Sequence, residues 1–82
     1  MDVLKFIGEI RDIGNGKCRV IIPKETSAKF TPDTWYVEEM KIEGKVFKDL
    51  TISSNAKRYR YILVEEPIGK PDGSLVDVQI TV

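Results

Sequence analysis

The residues richest in potential chemistry are Arg58, Tyr59, Arg60 and Tyr61, followed directly by Ile62, Leu63 and Val64. Guanidinium groups bind phosphates and carboxylates through a planar fork, and phenol rings offer faces for stacking. On one surface, the two types would form a platform for single-stranded nucleic acid, as on small barrels that bind such strands. On an extended strand, however, alternate side chains point to opposite faces. Arg58 and Arg60 then fall with Ile62 and Val64, and Tyr59 and Tyr61 fall with Leu63. The simpler expectation is therefore a core strand. Its tyrosine face is buried with hydroxyls at the core edge, and its arginines pair with acidic side chains on neighbouring strands. The candidate phosphate-facing set is Arg19, Lys24, Lys57, Arg58 and Arg60, with Lys48 as a further neighbour.

Catalytic residue types are sparse. The chain has no histidine, so it has no imidazole base and no histidine metal ligand. Its single cysteine, Cys18, falls within a strand pattern and reads as a small buried apolar residue rather than a reactive thiol. Gly14-Asn15-Gly16 lacks a phosphate-loop fingerprint and a following helix, so it reads as a hairpin turn. Glu38-Glu39 and Glu65-Glu66 are adjacent pairs. Adjacent strand residues diverge, so neither pair forms a shared acid–base dyad. No loop carries the ligand spacing of a calcium site. These features predict a protein that is not an enzyme and holds no metal or cofactor.

Thirteen basic and thirteen acidic side chains leave a formal net charge of zero. Neutralising phosphates and releasing counterions drives nucleic-acid affinity, so this balance argues against a free-standing polyanion binder. With 82 residues, 41% hydrophobic and 32% charged, the chain suits one small globular domain over 1–82. A lone cysteine and no basic, apolar leader lead to the expectation of a reducing cytoplasm. No apolar run reaches the length of a membrane-spanning helix, so no membrane association is expected.

The elements that must position these residues read as β-strands. Residues 3–11 alternate, with Leu4, Phe6 and Ile10 on one face and Gly8 in the same series. Gly8 marks a bulge or a close backbone approach. A turn over 12–17 joins this strand to 18–22, which Pro23 stops. Residues 24–31 are the one stretch without strand character and predict a short helix with Ala28 and Phe30 turned inward. Residues 35–52 form a second hairpin about Glu43-Gly44, with an interruption at Glu38-Glu39. The strand over 57–65 follows. Pro71-Asp72-Gly73 in the next connection is a type I turn signature. Finally Val76, Val78, Ile80 and Val82 share one face of the last strand. The whole predicts an all-β, small six-stranded barrel or pseudobarrel with one short helix after the second strand.

Phe6, Gly14 to Gly16, then Val20-Ile21-Ile22-Pro23-Lys24-Glu25 make the first half of a pattern. Val37 through Gly44-Lys45-Val46-Phe47, Tyr59 to Val64, Lys70 and Val76-Asp77-Val78-Gln79-Ile80 complete it. In order and spacing the chain resembles the uncharacterised bacterial β-barrel domains that accompany bacteriocin-protection (YdeI/OmpD-associated) domains. That resemblance implies a double-split barrel with a helix after the Val-Pro strand, and it implies no activity. Arg19-Val20-Ile21-Ile22-Pro23-Lys24-Glu25 is also similar to the element that opens the helix of AbrB-like domains. That similarity implies a DNA-binding dimer in which Arg19 and Lys24 take part, but the leucine-and-glycine helix ending of those domains is missing here.

The leading expectation is a non-catalytic interaction module with an unidentified partner, assembling as a homodimer. The alternatives are a nucleic-acid binder using the basic set above and a barrel carrying a small ligand in its interior.

Overall fold

The computed structural model describes residues 3–29, 35–55 and 59–82. Six strands and one helical turn follow in order: β1 (Val3–Gly14), β2 (Lys17–Ile22), α1 (Lys24–Ser27), β3 (Tyr36–Ile42), β4 (Lys45–Asn55), β5 (Tyr59–Val64) and β6 (Leu75–Thr81). The tight hairpins follow from backbone conformation. Asn15 and Gly16, at φ 56° and 73°, sit between the paired Gly14 and Lys17. Glu43 and Gly44, at φ 47° and 86°, sit between the paired Ile42 and Lys45. Two consecutive residues at positive φ make type I′ turns, whose twist matches that of the strands they join.

The strands close into an antiparallel barrel in the order β1-β2-β5-β4-β3-β6. Strands β3, β4 and β5 are successive antiparallel neighbours, and β6 returns beside β3, which is a Greek key. The return runs through 65–74, and β1 pins it. Ile10 N–H donates to the Ser74 carbonyl at 2.8 Å, Gly73 N–H donates to the Ile10 carbonyl at 2.7 Å, and Asp12 N–H donates to Asp72 Oδ1 at 2.9 Å. In the 71–74 turn, Ser74 N–H donates to the Pro71 carbonyl and Gly73 stands at φ 86°. Positive φ at the third position makes this a type II turn, not the type I turn expected from Pro71-Asp72-Gly73.

Phe6, Ile10, Val20, Ile22, Met40, Ile62 and Ile80 lead a continuous apolar core, with no buried polar or charged residue among the described ones. Cys18 is buried as expected, and Ile68 anchors the long connection in the same core. Gly8 stays in regular register opposite Val76, so it is a close approach rather than a bulge. A Cβ there would lie 2.9 Å from Val20 Cγ1 and 3.1 Å from Val78 Cγ2. The bulge falls instead at Ile13, between the paired Asp12 and Gly14. Inward alternation breaks at Glu38-Glu39: Val37 and Met40 are both buried three positions apart. On β4 the matching break is at Asp49, at φ 57°. The helix is one turn only. Its Ala28 end is exposed rather than inward, and Phe30 lies outside the described residues.

Candidate functional site

Strand β5 presents the opposite face to the one expected. Ile62 and Val64 are buried, while Tyr59, Tyr61 and Leu63 are half-buried on the outer surface. The register explains the inversion. Ile62 pairs with Val20 on one side and with Ile52 on the other, and both are fully core residues. Core partners on both flanks commit the Ile62 face to the interior, whatever the size of the tyrosines.

The outer face regains an arginine from β2. Arg19, opposite Leu63, lays its guanidinium over the Tyr61 ring, with Cζ 4.5 Å from the centroid. Its Nη1 donates to the Tyr59 hydroxyl at 3.4 Å, and its Nε is buried with no hydrogen-bond partner. The two tyrosine rings lie 5.9 Å apart, tilted by 60°. Ile21, opposite Tyr61, completes an amphipathic surface of Arg19, Ile21, Tyr59, Tyr61 and Leu63. Alternation within β5 separates arginine from tyrosine, but pairing with β2 reunites the two types across strands.

Arg60 is on the inward series but near the barrel end. It stacks over Trp35, Cζ 4.8 Å from the ring centroid, and its Nη1 donates to the Ser27 carbonyl at 3.3 Å. That bond satisfies a carbonyl at the end of α1 and fixes the helical turn against β5. Lys24 opens α1 and is exposed. Lys57 and Arg58 lie outside the described residues, so of the five basic candidates the structure places Arg19, Lys24 and Arg60.

Charge beside the tyrosine face is mixed. Arg11 is the cross-strand partner of Arg19, and Glu9 forms an ion pair with Arg11. Asp12 and Asp72 share the same depression with Arg11 and Arg19, a hollow of about 530 Å³. Acidic groups are thus interleaved with the arginines.

A second feature was invisible in the sequence. The β4–β5 ladder runs only from Asn55–Tyr59 to Ile52–Ile62. Beyond it, β4 stays paired with β3 and β5 stays paired with β2, but no ladder pair joins 47–51 to 63–66 among the described residues. A groove of about 460 Å³ opens between them, floored by Phe47 and Val64 and walled by Leu50, Thr51 and Leu63. Lys48, Asp49, Glu65 and Glu66 stand at its rim.

Among the described residues, no cluster of three or more cysteine, aspartate and glutamate side chains is placed to hold a metal ion. No helix among them is long and apolar enough to cross a membrane. No protein-family model, curated protein or solved structure matches the chain.

Proposed function

We propose that the protein is a non-catalytic interaction module that recognises another protein through the Arg19–Ile21–Tyr59–Tyr61–Leu63 face. The observation that carries this reading is the cross-strand stack of Arg19 on Tyr61 beside Tyr59, on a surface only half-covered by its own chain. Tyrosine and arginine in partly desolvated positions are the residue types that dominate protein–protein binding energy. Glu9, Asp12 and Asp72 beside the arginines favour a partner with charges of both signs over a polyanion. Among the described residues, the buried side chains are apolar and offer no polar group to orient a small ligand.

Two measurements test this reading. Fluorescence anisotropy with labelled single-stranded DNA and RNA at low salt separates a protein partner from a nucleic acid. Binding that weakens steeply with added salt would overturn the protein reading, because electrostatic affinity is greatest at low salt. In affinity capture from the source cells, the reading requires one stoichiometric protein that is retained by the native chain and by a Lys41→Ala control. The Arg19→Ala/Tyr61→Ala variant must release it.

One observation supports the homodimer. Ile7 and Leu75, 57% and 71% exposed, are diagonal neighbours on the outer face of β1 and β6. A second copy covering them would remove apolar surface from water. Light scattering then gives twice the chain mass, and Leu75→Lys returns it to the single-chain value.

A further inference from the structure

We infer that the open seam between β4 and β5 is a docking site for an extended basic peptide, which adds as a strand between residues 47–51 and 63–66. This goes beyond the tyrosine–arginine face and does not depend on it.

Below Ile52–Ile62, β4 over 47–51 pairs with β3 alone and β5 over 63–64 pairs with β2 alone, while 65–66 continue past the end of β5. Within a barrel that is otherwise closed, this leaves two strand edges facing one another across a groove. Strand edges are templates for further pairing, and main-chain hydrogen bonds give such additions their affinity. Asp49, at φ 57°, lies within the parted stretch of β4, whose register with β3 continues on both sides.

The groove also states what it would accept. Its floor and walls, from Phe47, Leu50, Leu63 and Val64 with the hydroxyls of Thr51 and Ser53 among them, suit small aliphatic side chains at alternate positions of a strand. Its rim carries three carboxylates, Asp49, Glu65 and Glu66, against the single ammonium of Lys48. An edge guarded by negative charge resists pairing with acidic or neutral copies and favours lysine or arginine. The occupant is therefore an extended segment in which lysine or arginine alternates with small aliphatic residues.

The test uses amide chemical shifts of the labelled full chain. The probe is an acetylated, amidated peptide of alternating lysine and valine, about seven residues long to match an ordinary strand. The expected shifts fall on 48–51 and 63–66. Replacing the lysines by glutamate lowers affinity by about tenfold or more. N-methylation at alternate amides removes binding, because it deletes the main-chain donors. Glu65→Gln with Glu66→Gln, two exposed changes, weakens the lysine probe about fivefold at low salt and less at high salt. Absence of shifts at millimolar probe overturns the proposal. So do equal binding by the N-methylated probe and shifts confined to Arg19, Tyr59 and Tyr61, the last of which would assign the peptide to the other face.

Discussion

Asn15, Glu43 and Asp49 hold left-handed backbone without being glycine. Asparagine and aspartate tolerate that conformation because their short side chains bond locally, whereas glutamate has no such compensation. Glu43→Asn should therefore raise stability by about 0.5–1 kcal/mol, read as a higher urea midpoint at unchanged slope. The exposed Lys70–Glu43 ion pair that it breaks is worth up to about 1 kcal/mol, so the comparison is made in a Lys70→Ala background, where that pair is already absent. Tyr36 makes a second prediction. Its hydroxyl donates to the Asp49 carboxylate, and that bond is the main reason its pKa lies above the ordinary 10.0. Shielding from water and the negative charges of Asp49 and Glu38 add to the shift. The fold thus favours the neutral phenol. Its contribution to stability is whole below the ordinary tyrosine value and is lost as pH climbs through the raised one. Ring resonances of Tyr36 should titrate above those of a free tyrosine, and Asp49→Asn should bring them back. Tyr36→Phe should make the alkaline fall in stability shallower.

Strand β5 carries the candidate face and pairs with β2 on one side and β4 on the other. Ile62→Ala should cost about 2–5 kcal/mol, and Tyr61→Ala only about 1 kcal/mol from the lost arginine and tyrosine contacts. Urea unfolding of the two variants checks which face is core, and the reverse order would restore the face expected from sequence. Gly8→Ala should cost about 1–3 kcal/mol, because its methyl meets Val20 and Val78 in a packed interior. The strands themselves were legible because alternation is local: Phe6, Gly8 and Ile10, or Val76, Val78 and Ile80, declare a face without reference to the rest of the chain. The two glycine hairpins were legible for the same reason. The face of β5 was not. Both of its sides are apolar enough to be buried, and the choice lies with Val20 and Ile52, far away in sequence. Arg19 was singled out for phosphate, yet its place over Tyr61 depends on the β2–β5 register, which no single segment specifies. The seam was hidden more deeply still, since it is a missing stretch of pairing between two strands and leaves no mark in composition.

At the scale of the molecule, the sequence carries equal numbers of acidic and basic groups, and the apolar core of the described residues includes Cys18. Thiol labelling of Cys18 should be slow in native buffer and should accelerate with urea in step with global unfolding, because the residue is buried in the core cluster. A faster, urea-independent reaction would mean that the β1–β2 turn or the 67–70 connection beside Cys18 opens separately. The pairing of β1 with β6 has a mechanical consequence. Val3 stands opposite Thr81, so the start of β1 and the end of β6 lie side by side. A tension applied to those ends loads the ladder one rung at a time, from Val3–Thr81 inward to Glu9–Leu75, as a zipper is drawn. Shearing would instead stress all the rungs together. The barrel should therefore yield at low force when pulled from its ends, and a single-molecule tether moved to the Asn15-Gly16 turn and residue 82 should raise that force.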